Sequence, residues 1–333
     1  MSSSVPVPKA ELHLHIEGTL EPELAFALAA RNGVTLGHAD TEVLRKAYAF
    51  ADLQSFLDLY YELMAVLVTE EDFEELADAY LARAAAQGVR HAEIFFDPQA
   101  HTARGVAFGT VVRGLHRALS RSRERHGIST RLIMCFLRDL PPAEALATLD
   151  AAEPYLHLIT GVGLDSAEVG NPPELFAEVY ARAAELGLRR VAHAGEEGGP
   201  EYVLGALDVL GVERVDHGLR AFEDPELTAR LVREGIPLTL CPLSNVRLRT
   251  VDTLADHPLR DMLAAGLKCT VNSDDPSYFG GYVEDNLRAV RDALGLTDED
   301  LRTLARNSFE ASFLEDEEQL RAEYLAEVAA HRF

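Results

Sequence analysis

Eight short β-rich runs alternate with longer Ala-, Leu- and Glu-rich stretches along this chain, and no other feature limits the fold so tightly. The runs are AELHLH at 10–15, RHAEIFF at 90–96, RLIMCFL at 131–137, ITGVGLD at 159–165, RRVAHA at 189–194, RVDHG at 214–218, PLTLCPL at 237–243 and KCTVNS at 268–273. Between them lie amphipathic segments. ELFAEVYARAAELG at 174–187 has apolar residues at helical spacing and a glycine stop, and DPELTARLVREG at 224–235 starts on Asp and ends on Gly. Strands joined by helical crossovers form a parallel sheet, and eight such units predict an α/β fold, a (β/α)8 TIM barrel. The rival is a doubly wound open sheet, but no GxGxxG follows the first strand.

Two stretches exceed the barrel plan. Residues 40–87 are too many for one crossover and predict extra helices, TEVLRKAYAF, LQSFLDLYYELMAVL and EEDFEELADAYLARAAAQG, forming a cap beside the barrel mouth. The tail at 284–329 reads as helical and is expected outside the barrel. No linker, repeat or low-complexity tract interrupts the chain, so 1–333 reads as one domain.

Composition excludes several classes. No segment approaches roughly 18 uninterrupted apolar residues, so no membrane span is expected. MSSSVPVPKAELH has no basic stretch followed by an apolar one, so no secretory signal is visible. Three widely spaced cysteines, Cys135, Cys241 and Cys269, make no disulfide framework, which fits a reducing cytoplasm. The formal charge of -24, with no cluster of Lys and Arg, argues against nucleic acid as substrate or partner. The sequence is compatible with a homo-oligomer but carries no signal for one.

Chemistry in such a barrel sits at the C-terminal ends of the strands. The first strand ends HLHIEG, and His13 and His15, two residues apart, present both rings to one face. The fifth ends AHAGEEGG, with His193 and Glu196; the sixth ends DHG, with Asp216 and His217; the eighth runs into Asp274 and Asp275. Three imidazoles and a carboxylate, His13, His15, His193 and Asp274, suit one Zn2+ with an open position for water. Such a water has its pKa lowered towards roughly 7 and becomes a nucleophile. Glu196 is then placed to shuttle protons, His217 to orient the water, and Asp275 to meet a polar group of the substrate.

ELHLHIEG, HAGEEGG, VDHG, CPLSN and NSDDPSYFGGY together resemble the adenosine/adenine deaminase family of the amidohydrolase superfamily, and LQSFLDLYY, EIFFDPQAHTARG and GVGLDSAEVGNPPELF extend the resemblance over nearly the whole chain. The resemblance implies a barrel with one zinc per subunit on His13, His15, His193 and Asp274. It implies that Glu196 protonates purine N1, that His217 lies beside the attacking water, and that Asp275 hydrogen-bonds N7, in a hydrolytic attack at C6 with loss of ammonia. Adenosine-specific members usually carry Asp where this chain has Glu17, and DPSYFGGY and EIFFDPQAHT look like the adenine deaminase branch. The expectation is therefore an adenine aminohydrolase in which Glu17 intrudes on the ribose space while Ser166 and Glu168 address the imidazole side of a free base. Adenosine, N6-substituted adenines and a non-catalytic purine-binding barrel are the alternatives. The HIE at 15–17 also matches the HxE of cytidine and nucleic-acid deaminases, but those need a PCxxC zinc pair, which CPLSN is not.

Overall fold

The computed structural model describes residues 6–50, 53–314 and 317–333. Residues 51–52 of the expected cap and 315–316 of the expected tail lie outside the described residues. The expected TIM barrel is present. Eight parallel strands lie in sequence order: β1 Lys9–Glu11, β2 Val89–Phe96, β3 Ser129–Leu137, β4 Gly161–Asp165, β5 Arg189–Ala194, β6 Arg214–His217, β7 Pro237–Leu240 and β8 Lys268–Val271. Single bridges from Leu14 to Asp274 and from His15 to Phe95 carry the first strand on and bring it against β8.

Several strands are shorter than the sequence reading, for local reasons. The run expected at 237–243 stops at Leu240 because Pro242, with no N–H, opens a short helix at Pro242–Arg247. The first strand leaves regular pairing after Glu11. Leu12 N–H is donated to the Asn272 side chain instead, at 2.8 Å.

Among the described residues four α-helices separate β1 from β2: Pro22–Asn32, Thr41–Ala47, Leu53–Met64 and Glu70–Ala86. The first was not anticipated, although Pro22 in its first turn and Gly33 in a left-handed C-cap mark both ends. The last opens on a reciprocal capping box between Thr69 and Asp72. The third turns Phe56, Leu57, Tyr60 and Tyr61 towards the barrel mouth.

The tail forms helices Val283–Leu294, Asp298–Glu310 and Glu318–Ala330. As expected, it packs on the outer face. The Asp298–Glu310 helix clamps the seam, with Asn307 donating to Cys269 O at 2.9 Å and Ser308 Oγ accepting from Ala10 N at 2.9 Å. Its continuation differs from the expectation, because residues 311–313 cross the lower end of the barrel. There Arg214, 0 % exposed, donates to Glu93 Oε2 at 2.6 Å and to the Ala311 carbonyl at 3.2 Å. Beside this ion pair a small apolar cluster of Phe95, Ile133, Cys135, Val191 and Phe313 packs in the interior. The functional residues stand at the C-terminal end.

Candidate active site

His13 and His15 leave the end of β1 with ring centroids 5.7 Å apart, both packed on the Phe95 ring. His193 comes from β5 and Asp274 from just beyond β8. His15 Nε2 and His193 Nε2 are 3.1 Å apart. Asp274 Oδ1 is 3.4 Å from His13 Nε2 and 3.6 Å from His15 Nε2. His13 Nε2 is buried with no hydrogen-bond partner. One donor atom from each of the four residues falls within a 4.8 Å cluster. Bonds of 2.0–2.1 Å to a tetrahedral ion put its ligands about 3.3 Å apart, so these separations fit a small divalent cation held by all four.

Protonation suits the same purpose. Burial pushes His15 down to about 3 and His193 well below the ordinary imidazole value, leaving neutral rings with free lone pairs. Burial opposes the charge on Asp274, but the rings of His13, His217 and His15 outweigh it and hold this carboxyl well below the usual range. Behind the set, His13 Nδ1 meets Thr239 Oγ1 at 2.9 Å, and Thr239 Oγ1 donates to Asp216 Oδ1 at 2.9 Å. His15 Nδ1 faces Asp165 Oδ2 at 3.4 Å. Such outer contacts fix ring orientation and tautomer.

Glu196 and His217 flank the cluster. Glu196 Oε2 is 3.4 Å from His217 Nε2, and His217 Nε2 is 3.9 Å from Asp274 Oδ2. Burial, then the charges of Asp274 and Glu168, push the Glu196 carboxyl well above its usual value, which favours its protonated form. Burial takes His217 down to about 3. Asp275 is also pushed well up, by burial and then by Asp274. Four described non-glycine residues have positive φ, and three of them are Ser166 at 70°, His217 at 61° and Asp274 at 65°. Left-handed backbone there is the kind of strain that persists where it aims a side chain.

These residues surround a cavity of about 440 Å³ of atom-free space counted out to its mouth, lined also by Phe56, Tyr60, Asp97, Leu137, Leu248 and Phe279. Ser166 and Asp275 line it, and Tyr61 Oη lies 3.5 Å from Ser166 Oγ. Gly18 lets the chain pass Asp275, since a Cβ there would sit 2.6 Å from the Asp275 Cα.

Glu17 and Glu168 depart from the sequence reading, since neither lines the cavity. Glu17 is 1 % exposed behind the wall, where Oε1 meets His101 Nε2 at 2.8 Å and accepts the Asp97 N–H at 3.2 Å. The Glu168 carboxylate turns away from the cavity and gathers N–H groups of the loop after β5. Oε1 accepts from Gly195 at 2.7 Å, and Oε2 from Glu196 at 3.1 Å, Glu197 at 2.8 Å and Gly198 at 2.8 Å. Sequence reasoning named Asp216 at a strand end without a role, and passed over Asp97, Asp165 and Thr239 as partners of the site. Their positions at or near strand ends were the available signal, because that is where barrel sites gather. Cys241, one of the three widely spaced cysteines, also offers a sulfur within 4.8 Å of ligand atoms of His13, His217 and Asp274.

The adenosine deaminase family model matches residues 8–330. The adenine deaminase of Streptomyces coelicolor is 78% identical over 329 residues, covering 99% of this chain and 97% of that protein. Among solved structures, the adenine deaminase of Arthrobacter aurescens superposes with a TM-score of 0.95 at 59% identity, covering 97% of this chain and 98% of that one. An amidohydrolase from Burkholderia ambifaria with bound Zn superposes with a TM-score of 0.88 at 32% identity, over 97% and 90%. The match spans the barrel, the cap and most of the tail, and on it this chain belongs to the adenosine deaminase family.

Proposed function

We propose that this protein is a hydrolytic adenine deaminase that uses one zinc ion per subunit and converts adenine to hypoxanthine and ammonia, as a purine-salvage step. The observation that carries the reading is the three-imidazole, one-carboxylate cluster at tetrahedral edge lengths, flanked by Glu196 and His217. The relatives named adenine deaminase support the choice of substrate. Residues 1–333 act as one catalytic unit, with the helices of the 40–87 stretch forming the outer wall of the cavity. The buried, unpaired cysteines suit a cytoplasmic setting.

His13, His15, His193 and Asp274 hold the zinc. When bound, the ion supplies the Lewis acidity that makes water a competent nucleophile near neutral pH. Glu196 carries the proton that the ring nitrogen N1 takes up as C6 is attacked; as a carboxylate it then takes the proton of the hydroxyl added at C6 and passes it to the amino group that leaves as ammonia. His217, neutral and in contact with Glu196, accepts a hydrogen bond from the incoming water and sets its direction. Asp275 holds a proton and donates it to a ring nitrogen on the five-membered ring. Phe56, Tyr60, Leu137, Leu248 and Phe279 supply apolar walls that keep out bulk water.

The test is ammonia release by the zinc-loaded protein on adenine, adenosine and N6-isopentenyladenine in parallel. Adenine is expected to be preferred. Glu196→Gln is expected to lose several orders of magnitude in kcat with zinc retained. A variant that kept wild-type turnover, or a wild type inactive on all three, would move the protein to a purine-binding role.

A further inference from the structure

Asp97 and Asp275 occupy matching places on the rim. Each lies just past a strand, β2 and β8, each is followed by a proline, and each stands at the N-cap of a short helix, Pro98–Thr102 and Pro276–Phe279. An aspartate at an N-cap ordinarily turns its carboxylate back onto the first free N–H groups of the helix. Neither does so here. Oδ1 of each is buried without a hydrogen-bond partner, and both residues line the cavity. A buried acceptor that forgoes its local donors is rare in a folded protein unless something outside the chain completes it.

The surroundings leave Asp97 to the cavity. Its backbone N–H is held from behind by Glu17, which also meets His101. Asp165 is its neighbour and shares a side-chain hydrogen bond with it, so that Oδ1 is the oxygen of Asp97 left free, and one oxygen from each aspartate clusters with a ring nitrogen of His15. Asp165, however, faces His15 Nδ1 at 3.4 Å, a pairing that orients this histidine towards the metal set. Around the barrel, Asp97, Leu137, Asp165 and Ser166 come from the β2–β4 side, whereas His193, Glu196, His217 and Asp274 come from β5, β6 and β8. A purine with C6 and N1 turned to the second group sends its five-membered ring towards the first.

Resting on the adenine reading above, we propose that Asp97 is a specificity-determining residue that accepts a hydrogen bond from the N9–H of a free purine base. A base substituted at N9 has no such proton. It leaves the Asp97 carboxylate stranded against carbon, so nucleosides are rejected on this contact.

The experiment compares kcat/KM for adenine and 9-methyladenine in the wild type, Asp97→Ala and Asp97→Asn, with Ki for purine and 9-methylpurine as a reading independent of chemistry. The wild type is expected to prefer adenine by at least about a hundredfold, as a site built to bond a ligand N–H should. Asp97→Ala is expected to lose roughly ten- to a hundredfold on adenine without a matching loss on 9-methyladenine, so that their ratio falls, with Asp97→Asn between. Equal losses on both bases, leaving the ratio unchanged, overturn the proposal and make Asp97 a support for Asp165. If Asp97→Ala does not fold, the Asn variant and the wild-type Ki ratio decide, and equal inhibition by purine and 9-methylpurine overturns it. A wild type that releases no ammonia from adenine refutes the underlying deaminase reading instead.

Discussion

Glu168 Oε2 accepts the backbone N–H of Glu196 at 3.1 Å, and through it a residue on the loop after β4 sets the position of the proton carrier on the loop after β5. The same carboxylate holds Gly195, Glu197 and Gly198. Four N–H groups converge on one buried side chain. Together they form an anion-binding nest whose anion is supplied by the protein.

Removing that anion should therefore misplace Glu196 without touching the metal ligands. Hydrogen bonds to a charged group contribute about 1.5–3 kcal/mol each, and buried donors left unpaired carry a further penalty. Glu168→Ala is expected to lower kcat by roughly 10²–10³-fold, the scale of a catalytic group displaced by about an ångström, with KM little changed and zinc content intact. Glu168→Gln, which keeps an acceptor oxygen, should recover part of that loss. Steady-state kinetics with metal analysis on both variants checks this. Parallel losses in KM and zinc would instead make Glu168 a general support of the fold.

The adjacent acids Asp274 and Asp275 should separate cleanly under substitution. Asp274 points its Oδ1 at His13 and His15, while Asp275 lines the cavity with an unpartnered Oδ1. Asp274→Ala leaves three imidazoles and no carboxylate to hold a dication, and we expect tightly held zinc and activity to disappear together. Asp275→Asn should keep stoichiometric zinc and lose turnover by about two orders of magnitude, as expected when a buried polar contact to substrate is removed. Metal content after dialysis against a mild chelator is the discriminating measurement. Stoichiometric zinc in the Asp274 variant would disprove the ligand assignment.

What was legible in the sequence follows from how directly position determines direction. His13 and His15 could be paired because side chains two apart on an extended run share a face. The barrel could be read because helical and extended periodicities alternate over the whole chain. Glu17 and Glu168 were misplaced because each sits in a loop or a single turn, where the next few dihedral angles decide whether a carboxylate faces a cavity or a row of backbone N–H groups. Asp97 was passed over for a related reason. An Asp-Pro step at the start of a helix is the ordinary signature of a cap, and only the structure shows that the cap bond is not made. The left-handed backbone at Ser166, His217 and Asp274 has only a weak signal in residue type, since Asp and His tolerate positive φ more often than most but rarely adopt it.

The buried pair Glu93–Arg214 gives a prediction about stability. It lies below the metal set, where Arg214 packs on the Phe313 ring and its Nε comes within 3.7 Å of Asp216 Oδ1. Burial opposes the charge on Glu93, but the Arg214 guanidinium and His91 outweigh it, and the carboxyl falls from 4.5 to about 2. A carboxyl whose folded pKa is depressed stabilises the fold above its unfolded pKa and ceases to do so as pH falls through the folded value. The contribution is about 3 kcal/mol, complete above roughly pH 5 and lost on acidification towards pH 2. Glu93→Gln strands a buried guanidinium and should cost about 3–5 kcal/mol at neutral pH. The gap between wild type and variant should then shrink by most of that amount between pH 5 and pH 2, since the protonated wild-type side chain resembles the amide. Urea midpoints at stepped pH measure it, and metal loss in acid, common to both proteins, cancels in the difference. A gap that stayed constant across this range would mean that Glu93 is not the ionised partner of Arg214.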